Sequence, residues 1–209
     1  MTLHLEVFVL GPLENNTILL ADPVSRDAVV VDPGLGVVDI LSDLKPWRVK
    51  QIWLTHAHFD HFIGIRTLQQ ALGDDLCLGL HPADLPLYQE GGGAAQFNFQ
   101  LTPGPAPTLS FGHGQILSIG SAGVTVRHTP GHSAGHVLFY VSELALALVG
   151  DLIFAGSVGR TDLPGGSQVT LLDSIRSQVL TLPPETRLIP GHGPETTVAM
   201  EAETNPFLV

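Results

Sequence analysis

Four side chains of the kinds that bind metal ions lie close together between residues 55 and 61. The stretch reads Thr-His-Ala-His-Phe-Asp-His and supplies His56, His58, Asp60 and His61. The short apolar run at 51–55 predicts a strand that ends where the histidines begin. His56 and His58 are two positions apart, so their side chains leave an extended chain on one face. A histidine cluster in this register predicts a metal site rather than a structural role.

Further ligand-type residues stand at the ends of strands predicted later in the chain. Thr-Pro-Gly-His follows the strand predicted at 124–128, Gly-Asp ends the one at 144–149, and Pro-Gly-His follows the one at 187–189. Glycine permits the backbone conformation and the close approach that such tight turns require. We therefore expect His132, Asp151 and His192 on the same rim of the fold as the 55–61 stretch.

The ligand-type residues divide into two neighbouring sites. We expect one ion to bind His56, His58 and His132, the other to bind Asp60, His61 and His192, and Asp151 to bridge them. Imidazole and carboxylate ligands suit two divalent ions per chain, with zinc expected first and iron or manganese as alternatives. Such two-metal sites lower the pKa of a bound water to about 7. We assign Asp60 the catalytic role of orienting the resulting hydroxide.

Composition and charge limit the class of protein. The chain has 209 residues, of which 44% are hydrophobic and 14% charged, and these values suit a single α/β or α+β domain over residues 1–209. A net charge of −11 disfavours nucleic acid and anionic membranes as partners. The single cysteine, Cys77, is interpreted as a buried strand thiol in a reducing compartment. Without a signal-peptide pattern or an apolar run near the ~20 residues of a membrane helix, a cytoplasmic protein is expected.

Apolar periodicity predicts the elements that position the site. Further strands are predicted at 7–10, 17–20, 28–31, 77–80 and 137–141, and helices at 37–44, 83–88 and 196–205. Two more helices are predicted from apolar stripes, one formed by Ile65, Leu68 and Leu72 and the other by Val169, Leu172, Ile175 and Val179. The strand at 28–31 is apolar throughout, which indicates burial on both faces.

Two features allow more than one interpretation. Asp32 precedes Pro-Gly and is either a turn former or a carboxylate that orients a metal-bound histidine. The glycine- and proline-rich segment 81–115 predicts a functional or flexible loop. Its aromatic residues either line a substrate cleft or anchor the loop to the core: Tyr88, Phe97 and Phe99. His81 and His113 have no ligand partner nearby in sequence, and we interpret both as non-ligands.

The joint pattern of the 55–61 stretch with the later Gly-His, Gly-Asp and Gly-His pairs resembles the metallo-β-lactamase superfamily. The resemblance runs from Val31 to His192 and fills all seven ligand positions of that family. It implies an αββα sandwich, in which two mixed sheets are flanked by helices and a dinuclear metal site lies on one rim.

Within that superfamily the chain is similar to the glyoxalase II group. Thr-Pro-Gly-His-Ser-Ala-Gly-His at 129–136 resembles that group's second histidine loop, and 156–166 resembles its short bacterial branch. The resemblance implies hydrolysis of small-molecule thioesters such as S-lactoylglutathione. Thioester chemistry suits the predicted site, because a thiolate whose conjugate thiol has a pKa of about 8.5 departs without a general acid.

The chain also departs from glyoxalase II proper. The C-terminal helical domain that supplies glutathione contacts in that group is expected to be absent here. Arg160 falls where the family has a basic residue that contacts the glutathione glycine carboxylate, and Asp162 falls where glyoxalase II has a tyrosine. Arg160 is therefore either the substrate-binding residue or a loop arginine paired with Asp162.

Other functions of the same fold stay open. A persulfide dioxygenase would use one iron ion and molecular oxygen, and it shares a Gly-Arg-Thr-Asp loop with residues 159–162. Val158 stands where that group commonly has cysteine, and Leu-Pro-Gly at 163–165 replaces its Phe-Gln run. Lactone or phosphodiester hydrolysis is a lesser variant, and a non-enzymatic metal-binding protein is the remaining alternative.

Overall fold

Two six-stranded sheets lie at the centre of the structure, a computed structural model that describes residues 2–209. The strands of the first sheet follow chain order: β1 (His4–Leu10), β2 (Asn15–Ala21), β3 (Asp27–Val31), β4 (Arg48–Trp53), β5 (Cys77–Leu80) and β6 (Leu109–Ser110). β1 to β3 pair antiparallel, whereas β3 to β6 run parallel. The segments that follow β3 and β4 therefore leave the sheet at the same edge.

The second sheet combines antiparallel strands with a parallel pair. Its order is β14 (Thr196–Thr197), β13 (Arg187–Pro190), β10 (Leu146–Gly150), β9 (Val137–Val141), β8 (Ala122–His128) and β7 (Ile116–Ile119). β10 and β13 are parallel, so the segments after them also emerge together. A short ribbon of β11 (Ile153–Phe154) and β12 (Ser157–Val158) follows β10.

Short helices cover the outer faces of the two sheets. They are α1 (Leu41–Leu44), α2 (Phe59–Phe62), α3 (Ile65–Leu72), α4 (Leu85–Gln89), α5 (Gln168–Ser174) and α6 (Val198–Thr204). Tighter 3₁₀ turns lie at Val37–Ile40, Pro82–Asp84, Ala94–Phe97 and Ser142–Leu144, and α5 continues into a π turn at Ile175–Val179. None of the helices within residues 2–209 has the length and apolar character needed to span a bilayer.

Three apolar cores within residues 2–209 define the layers. The inner core packs the two sheets against each other, with Val31 and Trp53 of the first sheet in one cluster with Phe139 of the second. A second core joins the outer face of the first sheet to α1 and α3, and a third joins the outer face of the second sheet to α5 and α6. The layer order is helix, sheet, sheet, helix, which confirms the expected αββα sandwich. β3 is buried on both faces, as its apolar sequence predicts.

Several local expectations need correction. The predicted helix at 37–44 is split into a 3₁₀ turn and α1. The last helix starts at Val198 instead of 196, because Thr196 and Thr197 pair with β13 as β14. The Thr197 side chain then caps the helix by accepting a hydrogen bond from the Met200 amide at 3.2 Å.

Two positions that the sequence predicted to face the core are more exposed in the structure. Val169 is 73% exposed, and the buried stripe of α5 is instead formed by Leu171, Ile175 and Val179, which are four residues apart. The Cys77 thiol is half-buried rather than buried, because Cys77 starts its strand. It accepts a hydrogen bond from the Thr108 hydroxyl at 3.3 Å.

Candidate metal centre

The segments that follow β4 and β8 bring three buried histidines together. His58 still has extended backbone (φ −76°, ψ 145°) before α2 begins, so His56 and His58 both reach the same rim. The Nε2 atom of His132 lies 3.2 Å from Nε2 of His56 and 2.8 Å from Nδ1 of His58. The ligand atoms lie within 4.8 Å of one another. The structure thus brings together the residues predicted for the first ion.

A second group of ligand-type atoms lies beside the first. α2 carries Asp60 and His61, and the turn after β13 carries His192. Oδ2 of Asp60 lies 3.1 Å from Nε2 of His192 and 3.7 Å from Nε2 of His61. This group, which corresponds to the predicted second ion, also lies within 4.8 Å.

Asp151, at the end of β10, lies between the two groups. Its Oδ2 atom is 3.6 Å from Nε2 of His132 and 3.8 Å from Nε2 of His192, and its Oδ1 atom is 3.4 Å from Nε2 of His61. Burial acts to raise the pKa of Asp151, but the adjacent His61 and His132 rings hold it well below its usual range. The carboxylate is therefore ionised and contacts both groups, as a bridging ligand would.

Hydrogen bonds fix which nitrogen carries a lone pair in two of the three first-group imidazoles, His56 and His132. The Thr55 hydroxyl donates to Oδ2 of Asp32 at 2.6 Å and so accepts from Nδ1 of His56 at 3.0 Å. Nδ1 of His132 donates to the carbonyl oxygen of Arg160 at 2.8 Å. Burial and the nearby His61 lower the pKa of His56 well below its usual value. The two Nε2 lone pairs consequently face each other at 3.2 Å, which is unfavourable without a cation between them.

The second group shows the same arrangement. Nδ1 of His61 lies 3.0 Å from Oδ2 of Asp32, and Nδ1 of His192 donates to the carbonyl oxygen of Leu13 at 2.8 Å. Nε2 of His61 and Oδ1 of Asp151 are buried without a hydrogen-bond partner among the described residues. Burial acts to lower the pKa of His61, but Asp151 and Asp60 outweigh it, so this position favours a positive charge. The donor set therefore fits two divalent cations.

Asp32 resolves one of the open interpretations. It has a positive φ of 50°, as a turn residue can, and it is buried beneath the site. Its Oδ1 atom accepts from the Thr55 amide at 2.8 Å, while Oδ2 contacts the Thr55 hydroxyl and His61. Asp32 therefore forms the turn and also orients His56, through Thr55, and His61 directly.

The glycines before the ligand residues are required by close packing. A Cβ atom on Gly191 would overlap Oδ1 of Asp151 and would lie 2.6 Å from Cε1 of His61. Gly150 has φ 48°, and a Cβ there would lie 2.8 Å from Nε2 of His136. Any side chain at these positions would displace a predicted ligand or the buried histidine behind the site.

Asp84 supports the site but was not recognised from the sequence. It is buried, and it accepts hydrogen bonds from the Ala57 amide (3.0 Å), the Ser133 hydroxyl (2.7 Å) and the Gly135 amide (2.5 Å). Ala57 stands between His56 and His58, whereas Ser133 and Gly135 follow His132. Asp84 therefore joins the two loops that carry the first ligand group. It lies inside the 81–115 segment, and nothing in the local sequence indicates contacts so distant along the chain.

A cavity of about 290 Å³ opens onto the two groups. It is lined by His58, Asp60, Asp151, His192 and Arg160, among others. The guanidinium of Arg160 pairs with Asp162 through contacts of 2.7 and 2.8 Å. The backbone carbonyl oxygen of Arg160 accepts the hydrogen bond from His132. The loop-pairing interpretation of Arg160 therefore describes the structure, and the side chain also borders the cavity.

The aromatic residues of the 81–115 segment divide between the two predicted roles. Tyr88 is buried against Phe62, with ring centroids 4.8 Å apart, and anchors the segment to the core. Phe97 and Phe99 pack on Phe59 at 5.2 and 5.0 Å, and Phe97 lines the cavity.

The two histidines interpreted as non-ligands lie elsewhere. His81 stacks on His128, with ring centroids 4.1 Å apart, and Nδ1 of His113 accepts from the His128 amide at 3.3 Å. Neither is part of the ligand groups found among residues 2–209.

In a comparison with known families, residues 10–192 match the family described as "Metallo-beta-lactamase superfamily". The "Probable metallo-hydrolase YqgX" of Bacillus subtilis (strain 168) is 39% identical over 207 residues, which cover 95% of this chain and 94% of that protein. The "Hydroxyacylglutathione hydrolase GloC" of Haemophilus influenzae is 31% identical over 210 residues, covering 99% of this chain and 98% of GloC.

Solved structures show the same fold. The BLEG-1 B3 metallo-beta-lactamase is 33% identical with a TM-score of 0.90, covering 99% of this chain and 100% of its own. TTHA1623, in a di-iron-bound form, is 43% identical with a TM-score of 0.86, covering 97% and 100%. ETHE1 from Myxococcus xanthus is 23% identical with a TM-score of 0.79 and covers 99% and 84%, a likeness of fold alone.

Proposed function

The chain belongs to the metallo-beta-lactamase superfamily, and from this premise we propose that it is a metal-dependent hydrolase of thioesters. The observation that carries the proposal is the pair of histidine and carboxylate groups joined by Asp151 at the floor of a cavity. We assign the first ion to His56, His58 and His132, the second to Asp60, His61 and His192, and the bridging position to Asp151. Divalent ions bound there would supply hydroxide at neutral pH and polarise the carbonyl oxygen of a substrate.

The residues of the chain have separate roles in this proposal. Asp60 lines the cavity and lies beside His192, so its carboxylate is placed to accept a hydrogen bond from the attacking nucleophile and to orient it. Asp32, Thr55, Leu13 and the Arg160 carbonyl hold the imidazole rings in the tautomers that binding requires. This support leaves the reacting groups little freedom to reorient during the reaction.

The lining of the cavity favours a substrate with a good leaving group. Its polar side chains are the assigned ligands and Arg160, and it includes neither a lysine nor a tyrosine to protonate a departing nitrogen. A thiolate, whose conjugate thiol has a pKa of about 8.5 in solution, departs without that help. The similarity to the Haemophilus influenzae hydroxyacylglutathione hydrolase supports the same substrate class.

The proposal is tested by comparing reactions and metal content in one preparation. Enzyme purified without chelator should contain close to two metal ions per chain and should release thiol from S-lactoylglutathione. A β-lactam should be cleaved far more slowly, and glutathione persulfide should cause no oxygen uptake. Iron near one ion per chain, with oxygen uptake and no thioester cleavage, would identify a persulfide dioxygenase instead.

A separate prediction concerns Arg160. If its exposed guanidinium binds a substrate carboxylate, Arg160→Ala should raise KM for S-lactoylglutathione about fivefold with kcat largely intact, since an exposed charge pair contributes ~1 kcal/mol. Asp162→Ala is the matched control, because it removes the partner of Arg160 but leaves the arginine. It should leave KM unchanged or lower it. Equal KM values in wild type and Arg160→Ala would assign Arg160 only its loop contact.

A further inference from the structure

A second cavity, of about 250 Å³, adjoins the one above the ligand groups. Its walls include Leu10, Leu13, Leu35, Phe59, Ile63 and Phe99. The two cavities share Leu13, Phe59, Asp60 and Phe97, so the second adjoins the Asp60 carboxylate that is assigned to orient the nucleophile. We call this second cavity the apolar pocket.

The walls of the apolar pocket expose large hydrophobic side chains from three separate segments. Leu13 belongs to the turn between β1 and β2, Leu35 to the loop after β3, and Phe97 to the 3₁₀ turn at Ala94–Phe97. Their exposed fractions are 49%, 51% and 50%. Single exposed apolar residues are ordinary, but apolar residues that converge around one concavity mark a binding site.

The pocket is held in shape by contacts that also reach the ligand residues. Phe97 and Phe99 pack on Phe59, which directly precedes Asp60. The carbonyl oxygen of Leu13 accepts the hydrogen bond that fixes His192. On the opposite wall, Gly11 approaches Leu35 so closely that a Cβ on Gly11 would lie 2.7 Å from the Leu35 carbonyl oxygen. The contacts that shape the apolar pocket therefore involve the residue before Asp60 and the backbone acceptor of His192.

Charge distinguishes the two ends of a bound thioester. Arg160 lines the first cavity and not the apolar pocket, whose only charged lining residue is the shared Asp60. A polar, anionic thiol carrier suits the side of Arg160, and an uncharged acyl chain suits the apolar pocket. One water occupies roughly 30 Å³ and a methylene group needs similar space, so the pocket has room for about six to eight carbons.

We propose that the apolar pocket binds the acyl chain of the substrate, so that the preferred substrates are thioesters of medium-length apolar acids rather than of small hydroxy acids such as lactate. The inference rests on the proposed thioester hydrolase and adds the acyl class that the site selects. Each methylene that enters the pocket should raise kcat/KM about fourfold, which corresponds to ~0.8 kcal/mol.

The experiment measures kcat/KM for S-acetyl, S-butanoyl, S-hexanoyl, S-octanoyl and S-lactoylglutathione with the metal-loaded enzyme. Activity should rise with chain length up to the hexanoyl or octanoyl ester and should exceed that on the lactoyl ester. Leu35→Asp should flatten this rise along the acyl series, because it places a charge in the wall of the apolar pocket. Leu72→Asp, at an exposed leucine on α3 outside the pocket, is the matched control and should keep the rise.

The outcomes separate the two proposals. Cleavage of acetyl and lactoyl esters without any rise along the acyl series would overturn the pocket assignment and leave the thioesterase intact. A rise that persists in Leu35→Asp would overturn it as well. If no thioester is cleaved, the proposed function fails, and calorimetric binding of acetate, butanoate and hexanoate still decides the pocket. Affinity must then increase with chain length in wild type and not in Leu35→Asp.

Discussion

Asp60→Asn is expected to lower kcat on S-lactoylglutathione on the order of a thousandfold or more and to leave the protein folded. The amide keeps the size of the carboxylate but loses the charge next to His61 and His192. It removes a ligand assigned to the second ion and also the acceptor that orients the nucleophile. Steady-state kinetics and metal analysis on the same samples measure both effects. The ion assigned to His56, His58 and His132 should stay bound.

His136→Ala is the comparison for this result. His136 is buried behind the site, its ring centroid lies 5.3 Å from that of His56, and Nδ1 contacts the Thr129 hydroxyl at 2.8 Å. Its loss leaves a cavity, so the thermal unfolding temperature should fall while kcat falls much less than in Asp60→Asn. Equal losses of kcat in the two variants, with metal retained in both, would refute the role assigned to Asp60.

Asp84→Ala is expected to have the second-largest effect, and that effect is on stability and metal binding together. The substitution leaves the Ala57 amide, the Ser133 hydroxyl and the Gly135 amide buried without their acceptor. The free energy of unfolding should fall by about 3–5 kcal/mol, because three buried donors lose their acceptor at once and each unsatisfied buried group costs about 1–3 kcal/mol. Urea unfolding of the metal-free wild type and variant measures this loss of unfolding free energy.

Metal affinity separates a positioning role of Asp84 from a purely structural one. In folded Asp84→Ala at low temperature, affinity for the first ion should fall tenfold or more, because the loops that carry His58 and His132 are no longer joined. Asp84→Asn retains a carbonyl acceptor and should recover part of both losses. Asp162→Ala removes an exposed carboxylate and serves as the control, with little change in either quantity. Unchanged metal affinity in Asp84→Ala would limit Asp84 to packing.

The positions of the ligand-type residues were predictable because their signals are local. Each follows a strand whose apolar run is legible in the sequence, and the Pro-Gly or Gly before His132, Asp151 and His192 marks a tight turn. The αββα fold followed from the resemblance carried by the same residues. The assignment of these residues to ions stays a prediction, whereas their convergence is a property of the structure.

The contacts that support the ligand residues were not predictable, because they join residues far apart in the sequence. The Thr55 hydroxyl, the Leu13 carbonyl and Asp84 act across long separations in the chain, and no periodicity or spacing encodes those contacts. Val169 shows a related limit, since an apolar residue in an approximate helical stripe was assigned to the wrong face. Small shifts in helix phase, here beside a π turn, decide which residue is buried.

Each ligand group combines residues from both sheets, and this arrangement affects the order of events in folding. The loop after β4 belongs to the first sheet and His132 to the second, and His56 and His132 are separated by 76 positions in the chain. An extended chain offers an ion only the local His-rich stretch, so neither complete ligand set exists until the two halves of the sandwich have docked. Ions that bind only after docking act as late cross-links, because they stabilise the native state and not its precursors. The metal concentration would then change the rate at which the native protein unfolds, and not the rate at which each sheet forms.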